Sequence, residues 1–197
     1  MSLFIPIKIM KKMFLSAIIT IIAFSASAET NYYPNPPGTI TRDGYTYKYR
    51  LKRGWMEIIT PTSGFIELYN ADNSYHGVKL EYRDGRELTF EMSLGIKDIE
   101  DRNLTRQQTQ EMVNNLFSSQ QRSMLKGYSM NIHLRINPDT GKILDVYFAL
   151  LRADPFVYIP VETFRNIELA LKRNLTFTVT EKGRELNFVG SSWTQIF

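Results

Sequence analysis

Few side chains in this 197-residue chain are of types that do chemistry. There are two histidines, His76 and His133, and no cysteine. Without cysteine there is no disulfide, thiolate metal site, cysteine nucleophile or lipidated cysteine. Neither histidine has a partner at the i+2 or i+4 spacing of a metal-ligand pair. His133 alternates with Ile132 and Leu134, which predicts the solvated face of a strand, and His76 falls in a polar loop. A Ser-His-Asp triad would have to recruit one of them, and no Gly-x-Ser-x-Gly elbow accompanies either. Asn70-Ala71-Asp72-Asn73-Ser74, with Glu81 at the twelfth position, echoes a calcium loop. Tyr75 stands where that loop needs glycine, so an Asx-rich turn is expected. Asp98, Glu100 and Asp101 form a local, solvated acidic cluster. Glycoside hydrolysis needs only two well-placed carboxylates, which keeps a hydrolase as a third reading. There is no phosphate loop and no dinucleotide fingerprint. The expectation is therefore a protein without catalytic residues, cofactor or metal.

The strongest surface candidate is basic. Arg42, Lys48, Arg50, Lys52 and Arg53 stand against Asp43 alone within twelve residues, interleaved with Tyr45, Tyr47 and Tyr49. Cations and aromatic rings together suit nucleic acid, but an exported chain does not meet it, so the expected partner is an anionic envelope glycan or lipid headgroup. A strand separates the two sets onto opposite faces, with tyrosines toward the core and cations toward solvent.

These residues need elements to position them. Residues 29–43 are polar and contain Pro34, Pro36 and Pro37, which reads as an extended tail. Residues 44–92 alternate with period two and read as a meander of about five strands. The expected strands are 44–52, Trp55–Thr60, Phe65–Tyr69 and a hairpin through Arg83-Asp84-Gly85. Ser93–Arg102 is expected as loop. Thr105-x-x-Gln108 has the form of a capping box and predicts a helix with Met112, Val113, Leu116, Phe117 and Met124 on one face and Gly127 as its stop. Met130–Ile136 and Lys142–Leu151 predict a hairpin turning at Asn137–Gly141. A second helix is expected from Pro160 to Arg173, its Val161, Phe164, Ile167, Ala170 and Leu171 buried. A last hairpin is expected through Glu181-Lys182-Gly183, with a terminal strand at Trp193–Phe197. The resulting class is α+β: an antiparallel meander followed by a helix–hairpin–helix–hairpin unit. Regions 44–103 and 104–197 can form one domain. Gly85-Arg86-Glu87-Leu88 and Gly183-Arg184-Glu185-Leu186 are similar and suggest shared turn chemistry rather than duplication.

The first 28 residues read as an export signal: Lys8, Lys11 and Lys12, an apolar run from Met13 to Phe24, then Ala26-Ser27-Ala28. The run is shorter than a membrane span. Met10 could equally be the start. The formal charge is +4, and three of the 24 cations belong to this segment. The remaining balance is near neutral, so the overall charge gives no reason to expect nucleic acid. With 43% hydrophobic residues, the rest of the chain can fold on its core alone.

Met130–Phe197 resembles the C-terminal domain of TonB-type proteins. The likeness rests on the alternating strand Met130–Ile136, Gly141-Lys142 in the turn, Ile143-x-Asp145-Val146 in the return strand, the covering helix and a late strand ending in an aromatic residue. Ile159-Pro160-Val161-Glu162, with Phe164 and Glu168, is also similar to small exported proteins of Bacteroides-type bacteria without an assigned function. The TonB resemblance implies the fold and a capacity to capture extended peptides by adding a strand at a sheet edge. It does not imply energy transduction, because the signal reads as cleavable and the Pro-rich segment is short. The expected protein is an exported, periplasmic or cell-surface binder of an envelope protein or peptide. The alternative partner is an anionic envelope glycan held on the basic strand face, and no span is expected in the mature chain.

Overall fold

The computed structural model describes residues 30–53, 64–89 and 97–197. The expected export signal, the expected strand Trp55–Thr60 and the end of the expected hairpin at 90–92 lie outside them. Tyr32–Phe197 is one compact unit built on an antiparallel sheet. In chain order its strands are β1 (Gly38–Arg42), β2 (Tyr45–Arg53), β3 (Gly64–Asn70), β4 (Ile99–Arg102), β5 (Ser129–Ile136), β6 (Ile143–Leu151), β7 (Phe177–Val179) and β8 (Val189–Ile196). The helices are α1 (Arg106–Asn114), α2 (Ser119–Leu125), α3 (Val161–Asn174) and the single turn α4 (Glu181–Arg184). Six strands form the main sheet in the order β1-β2-β3-β6-β5-β8, and β4 pairs with β7 separately.

Strand alternation decides the two faces. Tyr47, Tyr49, Ile66, Leu68, Phe148, Val146, Ile132, Leu134 and Trp193 point to the inner face and are buried. α3 covers that face because its apolar stripe, Val161, Phe164, Ile167 and Leu171, repeats at helical spacing. Phe164 tilts against Phe148 at 5.0 Å between ring centres. Pro160 precedes the helix and Lys172 and Arg173 occupy its last turn, favourable at the negative end of the dipole.

Several expectations change. The Pro-rich segment is not a free tail: residues 38–42 form β1, and Tyr33 is buried with its hydroxyl donating to the Ile159 carbonyl at 2.9 Å. The predicted first helix is two. α1 starts at the expected Thr105–Gln108 box, ends at Asn115, and α2 restarts at a second box, Ser118 with Gln121. Residues 99–102, expected in a loop, form β4. The last hairpin does not form. Thr180 caps α4 by accepting from the Gly183 amide, so the chain turns helically there, and β7 pairs with β4 instead of with the following segment. The two similar segments thus differ in backbone: Gly85 sits at φ +85° in a tight turn, whereas Gly183 is helical. They nevertheless meet, through a bridge between Tyr82 and Leu186. No described helix is long and apolar enough to cross a membrane.

Candidate functional site on the outer sheet face

The outer face carries the residues of opposite parity, and the register arranges them in rows across the strands. One row runs Thr39, Lys48, Tyr69, Tyr147, His133, Ser192. The next runs Arg50, Glu67, Ala149, Asn131, Thr194. A third places Lys52 beside Phe65 and Leu151. Ala149 is the smallest side chain among its neighbours, and a hollow of about 290 Å³ opens above it. Its walls are Phe65, Tyr147 and His133; Lys52, Glu67 and Asn131 supply the polar groups. That size is at the lower end of the ~300–1,000 Å³ of small-molecule sites.

Glu67 is the electrostatic centre of this face. Its side chain is only 3% exposed. Arg50 Nε donates to it at 2.5 Å, Lys52 Nζ lies at 2.9 Å and His76 Nε2 at 3.5 Å. Burial would push the Glu67 carboxyl up, but His76, Lys52 and Arg50 together outweigh burial and hold it down at about 2. It is therefore a permanent carboxylate that neutralises part of the basic strand face.

The two histidines, remote in sequence, flank one ring. His133 stacks on Tyr147 at 4.5 Å with planes 3° apart, and His76 meets the same ring edge-on at 5.6 Å. His76 also stacks on Tyr69 at 3.5 Å. Neither is the solvated side chain that alternation and loop position suggest. Burial first, then the Arg135 cation, lower the His133 pKa from its ordinary value, so a neutral imidazole faces the hollow at pH 7.

The basic residues expected as one surface divide. Lys48, Arg50 and Lys52 share the outer face. Arg42 pairs with Glu162 of α3, on the helix side of the sheet. Arg53 is the last residue of β2. A second hollow of about 380 Å³ lies at the β1 edge; Thr39, Lys48, Arg50 and Tyr69 line it from the outer face, and Pro37, Gly38 and Tyr49 complete it.

A third hollow, about 400 Å³, lies between the 70–74 loop and α3 and contains Asp72, Asp145 and Glu168. Burial raises the Asp145 pKa. Glu168 is also buried, which opposes its charge, but Lys172, Tyr47 and Arg165 lower its pKa overall. Carboxyls driven apart in pKa can share acid and base roles. Here Glu168 already accepts from Tyr47, from Asn70 at 3.3 Å, from Arg165 at 3.1 Å and from Lys172 at 2.7 Å. Its lone pairs are taken up by Tyr47 and Asn70 of the sheet and by Arg165 and Lys172 of α3 itself, which leaves it unsuited to attack a substrate. In the suspected calcium loop, Asn70 Oδ1 accepts from the Asp72 amide, the expected Asx turn. No three His, Asp or Glu side chains among the described residues are grouped to hold a metal ion.

Residues 30–193 match the model of DUF5043, a domain of unknown function. The chain belongs to the DUF5043 family. A crystal structure of a DUF5043 family protein from Bacteroides uniformis is similar at 26% identity and a TM-score of 0.71, covering 84% of this chain and 93% of that one. No curated protein matches. The likeness supports the α+β class, dominated by an antiparallel sheet, and the similarity to a Bacteroides protein of unknown function; it does not show the TonB-type arrangement. It assigns no activity.

Sequence reasoning found the basic half of the outer face but missed Glu67, Tyr147, Asn131 and Ala149. Alternation placed Asn131 and His133 outward; nothing local showed that β3 and β6 are neighbours.

Proposed function

We propose that this DUF5043 protein is a non-catalytic binding module of the cell envelope that takes a saccharide ligand on the outer face of its sheet. The hollow over Ala149 carries this reading. A sugar unit offers apolar C–H surface and a ring of hydroxyls, and the hollow offers Phe65 and Tyr147 beside the Glu67 carboxylate, the Asn131 amide and the Lys52 ammonium. The envelope setting rests on the basic, apolar and Ala26-x-Ala28 pattern of the first 28 residues. The test is calorimetric titration of the full chain with neutral and acidic oligosaccharides. Ala149→Phe, which fills the hollow from a solvent-facing strand position, is expected to abolish binding with the melting temperature retained. Asn131→Ala is expected to weaken it. Failure of every oligosaccharide to bind, or binding indifferent to both variants, overturns the proposal.

A second reading, strand addition of an extended peptide, is favoured by β1, which has β2 as its single strand partner among the described residues. At the opposite edge, α1 already reaches β8: Gln110 donates to the Thr194 carbonyl at 3.2 Å and Asn114 to that of Ile196 at 3.4 Å. An added strand would slow amide exchange along β1. Unchanged exchange in the presence of extended peptides removes this reading.

A further inference from the structure

The two outer-face hollows differ in charge, and we infer that they are two subsites for one linear oligosaccharide that runs across the strands, with a neutral unit over Ala149 and an anionic unit beside Lys48. This rests on the saccharide reading and goes beyond it by fixing the order and charge of the units.

Three observations carry it. First, the hollows share a face. Lys48, Arg50 and Tyr69 line the one near β1, Glu67, Tyr147 and Ala149 line the other, and all six have the same parity in the register. Lys48 on β2 and Ala149 on β6 stand two strand spacings apart, roughly 10 Å across the sheet. Second, the two linings are joined by an ion pair, Arg50 with Glu67, beside which His76 stacks on Tyr69. Arg50 lines the first hollow and donates to Glu67, which lines the second, while its guanidinium sits 5.8 Å above the centre of the Tyr69 ring. A ligand that fills both hollows would contact this pair and the His76–Tyr69 stack. Third, the charge of the linings is opposite in consequence. The hollow over Ala149 places the Glu67 carboxylate against Lys52 and is balanced, so it suits hydroxyls. The hollow beside β1 has Lys48 and Arg50 in its lining and no carboxylate. Lys48 is exposed on a row between Thr39 and Tyr69. An anionic substituent placed there gains an exposed ion pair, which favours it over a neutral unit by about fivefold at low salt.

The probes are a hyaluronan tetrasaccharide, in which neutral and carboxylate units alternate, its neutral methyl ester, a chondroitin sulfate tetrasaccharide, and polyaspartate. Each is titrated into the full chain and into Lys48→Ala and Ala149→Phe variants. The expected result is tighter binding of an acidic oligosaccharide than of the neutral ester, with the difference erased by Lys48→Ala and all binding lost with Ala149→Phe. The carboxylate and sulfate probes distinguish the source of the anion. If acidic and neutral oligosaccharides bind alike, or if Lys48→Ala leaves their difference intact, the two-subsite inference fails while the saccharide reading stands. If no oligosaccharide binds, both fail. If polyaspartate binds as well as the acidic sugars and Ala149→Phe spares it, the face reads charge alone and the inference also fails.

Discussion

Glu67 shows how one buried charge organises a surface. It lies in the middle of the sheet, and three cation-capable side chains converge on it from β2 and the loop after β3. Its carboxyl is held at about 2, below the ordinary 4.5. The folded state therefore binds the proton less readily than the unfolded chain, and stability falls as pH drops from about 4.5 toward 2. Arg50 and Lys52 are substantially exposed, so screening limits the contribution at pH 7 to about 2 kcal/mol. Glu67→Gln is expected to lose that amount in urea denaturation at pH 7 and to match the unaltered protein near pH 2. A gap of the same size at both pH values would mean that shape, not charge, is what Glu67 supplies. Nothing in the sequence marks this residue, because its importance arises from neighbours on other strands. His76 and His133 make the same point: 57 positions apart, they meet across Tyr147 only because β3, β6 and β5 are adjacent.

At the level of elements, local chemistry was legible and long-range pairing was not. The alternation of Tyr45 to Leu51, the turn at Asn137–Gly141 and the stripe of α3 are properties of contiguous residues, and each element forms close to its expected bounds. The Thr105 cap likewise appears as spelled, with its hydroxyl accepting from the Gln108 amide at 3.2 Å and Gln108 returning to the Thr105 amide at 2.9 Å. The Ser118 box was equally legible but was masked by periodicity, since Met112, Leu116 and Met124 fit one apolar face whether the helix is whole or broken. β1, β4 and β7 are 5, 4 and 3 residues long. Segments that short carry almost no pattern and are strands only because a distant partner supplies the ladder. Gly141 belongs to this long-range class, because at φ +66° a Cβ there would lie 1.8 Å from the Phe177 carbonyl oxygen. Thr105→Ala should cost about 1 kcal/mol in chemical denaturation. Ser118→Ala should cost a similar amount, and the pair should add if the two helices are capped independently. A double variant no weaker than either single one would show that α1 and α2 form as one unit.

The whole molecule is closed by the segment that looks least like part of it. Tyr32 donates its amide to the Val157 carbonyl at 2.9 Å, and Tyr33 packs edge-on against Tyr49 and Phe164, at 5.5 Å and 6.2 Å between ring centres. Burial first, then the Glu162 carboxylate, push the Tyr33 hydroxyl well above its usual pKa, so it stays a neutral donor to Ile159. The segment thus adds a link between β2, α3 and the turn before α3, beside the direct Tyr47–Glu168 hydrogen bond. Its composition hid this, because prolines and asparagines between aromatic residues describe a chain without secondary structure whether it is free or docked. Tyr33→Ala removes a fully buried ring and is expected to cost about 3–4 kcal/mol, lowering the melting temperature by roughly 10 °C. Tyr33→Phe keeps the ring and should cost about 1 kcal/mol for the lost hydrogen bond. Pro37 and Gly38 line the cationic hollow, so loosening Tyr33 should also blunt the preference for acidic over neutral oligosaccharides. A Tyr33→Ala protein that melts like the unaltered chain would return residues 30–37 to the status of a tail and detach them from the binding face.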